Sequence, residues 1–426
     1  MAFHQYLMLM LSSTVFFLLV REGTTMPKGP PPWAKAKAFG HDNLDGDILL
    51  NQELLQRLQS KTDPEAKYET RNILKDSKYK WPGGVVPFII DSSFDDYPHE
   101  RTMINSAIGE VHKVSCVRFV QRTSEAHYIT FVRGSGCSSY VGYLKMAAQP
   151  VSIGTGCAFT GTIVHELLHV LGFFHTSSRK DRDSYVVVYP DNVQSGYEHN
   201  FWKYNSDQIQ NFGAPYELVS LMQPPRNAWS KNSRNTIESR KGPSVVLGNP
   251  DRMTEIDIGQ LNTLYECTNY KVCYQWLGMQ DGRITDSQLT ASSHTPYDDP
   301  HQARLHLSST GKGNGAWCAG SNSVGQWIKI DLGSYKYLKG IATQGKVDPF
   351  SGSSWVTHYN FHFSYDDSYW YDYATWYSTG LTGNFDDFSV QYNSLPVVIS
   401  ARYIKILPSK WNRNMCMRIE LYGCDV

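Results

Sequence analysis

Twelve residues constrain this chain more than any others: Val164-His165-Glu166-Leu167-Leu168-His169-Val170-Leu171-Gly172-Phe173-Phe174-His175. Their spacing predicts a helix on which His165 and His169 lie one turn apart on a shared face, so both imidazoles reach a single ion. Glu166 stands beside the first of them, where its carboxylate can hold a water at that ion. Gly172 is placed to end the helix, because a residue without a Cβ takes the left-handed cap without steric cost. The reversed chain can then bring His175 to a third coordination position. Three protein ligands leave a further position open, the pattern of a catalytic rather than a structural zinc. A lone pair of histidines four apart is ordinary surface or core chemistry. The full set, with its third His, its Glu and its Gly at fixed offsets, is far rarer.

The surrounding chain narrows the setting. With 426 residues it is too long for one ordinary core, so about two or three domains are expected. A hydrophobic fraction of 41% against 19% charged excludes a disordered chain. Lys+Arg and Asp+Glu each total 40, and this balance argues against nucleic acid as a partner. Tyr6 to Val20 is almost wholly apolar and is followed by Arg21, Glu22, Gly23 and Thr24. Such a run is short for a membrane span and suits a signal peptide over residues 1–24 of a secreted, extracellular protein. The eight cysteines, an even number, suit the same oxidising route.

Pro27-Lys28-Gly29-Pro30-Pro31-Pro32 opens a polar stretch over 25–71 with little to bury, read as a pro-segment; Asn51 to Leu58 is its one short helical pattern. From Trp81 the character changes. Val85 to Ile90 reads as a buried strand, His99 to Val114 as an amphipathic helix, and Val117 to Val120 and Tyr128 to Val132 as further strands, together an α+β module. From Cys273 onward no helix is predicted. Gln326 to Leu332, Tyr359 to Tyr365 and Ala401 to Leu407 alternate apolar and polar residues between Gly, Ser and Asp turns, the pattern of an all-β sandwich or barrel. Only five residues separate Cys267 from Cys273, so the two modules should sit close together.

The histidine segment resembles the metzincins, and its continuation Arg179-Lys180-Asp181-Arg182-Asp183 is similar to the astacin family specifically. Trp81-Pro82, Cys137-Ser138-Ser139-Tyr140-Val141-Gly142, Ala148 to Val151, Glu198-His199-Asn200-Phe201 and Ser220-Leu221-Met222 carry the likeness further, over a module taken as residues 72–267. The resemblance implies one catalytic Zn2+ on His165, His169 and His175, Glu166 as general base, Met222 as the apolar floor below the metal, and protein or peptide substrates. It also implies disulfides Cys116–Cys267 and Cys137–Cys157, and maturation between Arg71 and Asn72. The family's pro-segment carries an Asp that occupies the zinc before maturation; here Leu44-Asp45-Gly46-Asp47 makes Asp47 that residue, although Asp-Gly is equally an ordinary turn pair. Three positions depart from the family. Thr176 replaces a Glu after the third His, Leu44 replaces a Phe, and Gln223-Pro224 stand where the chain usually leads to a zinc-binding Tyr. Loss of one such oxyanion donor costs on the order of a hundredfold in turnover, so a slower enzyme is expected. The alternative is a matrix or adhesion protein that keeps the protease fold as a scaffold.

Residues 273–424 resemble a discoidin domain. The likeness rests on Leu277-Gly278-Met279, Asp281 to Ile284, Gly315-Ala316-Trp317-Cys318, Gln326 to Gly333 and Cys416 to Cys424. It implies an all-β sandwich closed by Cys273–Cys424 and Cys318–Cys416, whose end loops bind phospholipid, glycan or matrix collagen. The collagen-binding members place a Trp where this chain has His294-Thr295-Pro296-Tyr297. Trp370, Tyr371, Tyr373, Trp376 and Tyr377 fit either a sticky surface or the sandwich core.

Overall fold

The apolar runs pair into a sheet at the centre of the first module. The computed structural model describes residues 44–45, 47–49, 73–74, 76–204, 209–270, 273–308, 315–348, 352–377 and 380–426. The signal-peptide run, the Asn51 to Leu58 pattern and the Arg71–Asn72 bond lie outside the described residues. Strands β1 (Leu44–Asp45), β2 (Ile48–Leu49), β4 (Val85–Ile90), β5 (Arg118–Gln121), β6 (Ile129–Val132), β7 (Cys137–Tyr140) and β8 (Gln149–Ile153) form one sheet in the order β1-β2-β7-β8-β6-β4-β5; β3 (Ile73–Leu74) lies apart from it. The β4–β5 pair is parallel, which requires a crossover. Helix α1 (Pro98–Val114) supplies it and buries Ile104, Ala107, Ile108 and Val111, the stripe expected of a helix with one apolar face.

Helix α2 (Thr160–Val170), which carries the first two histidines, is buried along nearly its whole length and packs with α1 in one core. Its C-terminus is fully accounted for. Gly172 takes φ +108°, and the Gly172 N–H donates to His169 O and the Phe173 N–H to Leu168 O, the two bonds of a Schellman ending. The remaining end carbonyls also find donors: Trp81 Nε1 at Val170 O and Tyr265 Oη at Leu171 O. Beyond the helix, β9 (Val186–Val188) pairs with β11 (Ile237–Ser239), and β10 (Ile209–Gln210) with β3. Helix α3 (Glu255–Leu264) closes the module.

The second module comprises β12 (Gln275–Trp276), β13 (Leu289–Ala291), β14 (Trp317–Cys318), β15 (Ile328–Gln344), β16 (Trp355–Ser364), β17 (Tyr371–Asp372), β18 (Leu381–Thr382), β19 (Gln391–Asn412) and β20 (Cys416–Asp425). β15 and β19 change partners along their length. β15 pairs with β13 through Ile328–Ile330 and with β20 from Lys336 onward, across an irregularity at Asp331/Lys336. Strands that switch partners at such bends join two layers into a sandwich, with Ile330, Ile341, Phe361, Ile404 and Leu421 buried between them. One expectation needs correction: a short helix, α4 (Tyr373–Tyr377), interrupts the strands. Asp372 Oδ1 accepts the Ala374 N–H, and Tyr373 stacks on Phe361 at 4.4 Å, so a cap and an aromatic anchor hold this turn without helical periodicity in the sequence. Tyr373 is core, whereas Trp370 is partly exposed with Lys405 Nζ 3.7 Å over its ring; the side chains of Trp376 and Tyr377 lie outside the described residues.

Disulfides join Cys116 to Cys267, Cys137 to Cys157, Cys273 to Cys424 and Cys318 to Cys416. The first closes a separation of 151 residues, worth on the order of 5 kcal/mol by loop entropy.

The two modules share a core. Leu305, Ala342, Val390 and Tyr422 of the sandwich belong to the same buried cluster as α2 and its sheet. The Val390 N–H donates to Ser184 O, the Trp276 N–H to Gly213 O, and the Arg240 guanidinium lies 4.4 Å over Phe388.

Candidate metal centre

Helix α2 points His165 and His169 at one another, with Nε2 atoms 3.0 Å apart. His165 Nδ1 lies 2.9 Å from Leu221 O, and His169 Nδ1 lies 2.7 Å from Phe173 O. A carbonyl oxygen only accepts, so each Nδ1 carries the proton and each Nε2 is left with a lone pair. The Schellman turn that ends α2 is thus also what presents Phe173 O to His169. His175 follows in extended backbone and brings its ring to 5.4 Å from that of His165 and 5.0 Å from that of His169. The Trp229 ring stands 5.7 Å from His175, a neighbour with no local signal in the sequence. All three histidines are fully buried.

The fourth member comes from the far N-terminal side. Asp47 sits in the bend between β1 and β2, 3.2 Å from His165 Nε2, 3.1 Å from His175 Nε2 and 3.8 Å from His169 Nε2. β2 lies parallel to β7, with Ile48 opposite Ser139, and the Ser139 N–H donates to Asp47 O at 2.9 Å. That ladder places the carboxylate, so Asp47 is a turn residue and a site element at once. Ligand atoms of Asp47, His165, His169 and His175 all lie within 4.8 Å of one another, and no other such group occurs among the described residues.

The electrostatics agree with a cation site. Burial pushes the Asp47 carboxyl up, but the attraction of the His175 and then the His165 imidazoles overrides it and holds it well below the usual carboxylate range. Burial keeps His169 well below an ordinary imidazole. Burial, reinforced by the Asp47 charge, raises Glu166 well above an ordinary carboxyl. Both Glu166 carboxylate oxygens are buried without a hydrogen-bond partner among the described residues. Lone-pair nitrogens facing one another in a dry site repel unless a cation stands between them. The donor set, imidazoles backed by backbone carbonyls plus one carboxylate oxygen, suits zinc.

Met222 is fully buried in the turn that follows Ser220, and its carbonyl accepts the Thr176 N–H at 2.8 Å. Gln223, at the departure from the family pattern, is buried and its Oε1 accepts from Tyr216 Oη at 2.8 Å.

Residues 73–266 match the family model for Astacin, a peptidase family, and residues 288–421 match the F5/8 type C domain. Zinc metalloproteinase nas-4 of Caenorhabditis elegans is 36% identical over 225 residues, which cover 52% of this chain and 69% of that protein. The chain belongs to the astacin family. This astacin is therefore a zinc metalloendopeptidase in kind, joined to a discoidin sandwich. Blastula protease 10 of Paracentrotus lividus is 36% identical over 239 residues, 54% of this chain and 39% of its own length. High choriolytic enzyme 1, a hatching enzyme zinc-protease from Oryzias latipes, is 35% identical over 46% of this chain and 100% of its own, with a TM-score of 0.43. No helix of this astacin, among the described residues, is long and apolar enough to cross a membrane.

Proposed function

We propose that the chain is a secreted endopeptidase in which Glu166 is the general base, held latent by Asp47 and localised by its discoidin module. The observation that carries this reading is the buried, unpartnered Glu166 carboxyl next to the three-histidine cluster. A scaffold has no physical use for an acid whose charge is so costly to bury. Zinc held by His165, His169 and His175 would act as a Lewis acid and acidify water. Glu166 takes the proton of the attacking water and delivers it to the leaving amine, and its raised affinity for a proton suits that shuttle. The β2 segment lies along β7 at the edge where an extended substrate would add as a strand, so the hairpin must leave before substrate enters. Four disulfides suit the secretory route.

At one end of the sandwich, a cavity of about 260 Å3 is lined by Thr295, Asp298, Asn322, Lys346, Asp348 and Asn414. Lys346 Nζ lies 3.0 Å from Asp298 Oδ1, with both side chains nearly buried. Its polar wall, with the 67% exposed Tyr297 in the adjoining loop, favours glycan hydroxyls or a polar matrix peptide over acyl chains.

The test is cleavage of casein or gelatin by the matured protein and by Glu166→Ala, with zinc measured in both. The expected result is stoichiometric zinc in each and a loss of at least about a hundredfold in turnover for the variant. Equal zinc with no Glu166-dependent cleavage on a broad substrate panel would sink the enzyme reading in favour of the scaffold.

A further inference from the structure

Helix α3 begins with a capping box. Asp257 donates its N–H to Thr254 Oγ1 at 3.1 Å, and Asp257 Oδ2 accepts the Thr254 N–H at 3.0 Å. A carboxylate with only that task would face solvent. Asp257 is instead 1% exposed, because it reaches into the turn that carries Met222. There Oδ1 accepts from Ser220 Oγ at 2.6 Å and Oδ2 accepts the Leu221 N–H at 2.9 Å.

Both contacts lead to the histidines. The carbonyl of Leu221 is the acceptor for His165 Nδ1–H at 2.9 Å, so the residue whose N–H is fixed by Asp257 fixes the ring of the first zinc ligand with its other end. Ser220 Oγ accepts the Met222 N–H at 3.0 Å and the Thr176 hydroxyl at 3.2 Å, and the Thr176 N–H donates to Met222 O at 2.8 Å. Thr176 is the residue directly after His175. The Ser220 hydroxyl thereby spends its one proton and both lone pairs, and the network continues through Thr254 Oγ1, which donates to Glu217 Oε2. An ionised acceptor makes the shorter and stronger kind of hydrogen bond, which offsets part of its burial in this dry site, although burial still leaves the Asp257 carboxyl above its usual range.

We propose that Asp257 is a positioning residue of the zinc site, orienting His165 through Leu221 and His175 through Ser220 and Thr176, an inference that rests on the metalloendopeptidase reading above. It touches neither metal nor substrate. Its action is to hold the turn so that the Leu221 carbonyl faces His165 Nδ1, which keeps the proton on that nitrogen and the lone pair on Nε2. Thr176, unlike an acidic residue, ties the loop of the third histidine to this turn through internal hydrogen bonds alone.

The experiment compares Asp257→Ala, Asp257→Asn and Ser220→Ala in the full chain, by zinc affinity from chelator competition and by kcat and KM on a peptide. Loss of a partner behind a metal-bound histidine costs about 10–100-fold in affinity. Asp257→Ala is expected to weaken zinc by that factor and to lower kcat more than KM changes. Asp257→Asn should stay within about threefold of the parent protein, because the amide oxygen serves the Leu221 and Thr254 N–H groups, its NH2 donates to Ser220, and the Ser220 hydroxyl turns to Thr176. If Asp257→Ala does not fold, Ser220→Ala carries the test, with about tenfold weaker zinc expected. Unchanged zinc affinity in the Ala variants overturns the proposal, as does an Asn variant as impaired as Ala. A parent protein that binds no zinc refutes the metalloendopeptidase reading itself, a separate result.

Discussion

At the scale of single residues, the proposed chemistry and the proposed latency meet at one point. Asp47 lies against His165 and His175, within the group of four residues that could hold a metal ion. Replacing Asp47 with Ala removes the only carboxylate within that cluster. The uncleaved Asp47→Ala chain is expected to hydrolyse a small peptide at least about tenfold faster than the uncleaved parent, and an unchanged rate in a stopped assay would show that latency does not depend on this carboxylate. The pairing of His165 with His169 was legible in sequence because helical spacing is a local rule: residues four apart share a face whatever surrounds them. Asp257 was not singled out from the sequence. Its local pattern, Thr254-x-x-Asp257, signals a helix start and nothing more, and its second task depends on a turn that only the tertiary fold brings near.

At the scale of elements, β20 carries a comparable charge. Glu420 is fully buried and accepts the N–H groups of Gly278, Met279, Gln280 and Leu421, tying the turn after β12 to the sheet. Burial pushes its carboxyl up to about 7, with those hydrogen bonds pulling only part of the way back. A folded pKa above the unfolded one means the native state holds a proton that the unfolded chain has released. Stability from this group therefore falls as pH rises from about 4.5 to about 7 and levels off above, a total on the order of 3 kcal/mol. Glu420→Gln is expected to flatten that part of the profile, measured as unfolding midpoint in urea at about pH 5, 6 and 7; a slope identical to the parent's would remove Glu420 as its source. The sandwich itself was legible from period-two alternation, but the environment of the 370–377 aromatics was not. Tyr373 enters the core while Trp370 stays near the surface because a cap at Asp372 starts a short helix there, and no run of alternating residues encodes that change.

At the scale of the whole molecule, the modules are fused rather than tethered. Residues 176–185, which leave the third histidine, are pinned from behind. Arg179 is buried, paired with Asp181 at 2.8 Å and bonded to the carbonyls of Ala214 and Pro215, and Ser184 O accepts from Val390 of the sandwich. The full chain is expected to unfold by calorimetry in a single transition spanning both modules. Val390→Asp places an unpaired charge at a position 2% exposed and is expected to cost about 3 kcal/mol or more and to split that transition in two. Two transitions in the parent protein would show that the shared core does not couple them. The closeness of the modules followed from the short link between Cys267 and Cys273; their common core did not, because Leu305, Ala342, Val390 and Tyr422 read equally well as interior residues of an independent sandwich.

The disulfides are arranged so that none crosses from one module to the other, and the link between them is flanked by a cysteine from each set. A single cut between Cys267 and Cys273 would therefore leave two polypeptides with no covalent bond between them. The nicked protein would still migrate as one species under native conditions, because the packed residues remain buried against each other. On a denaturing gel it would separate into two bands with no reductant added.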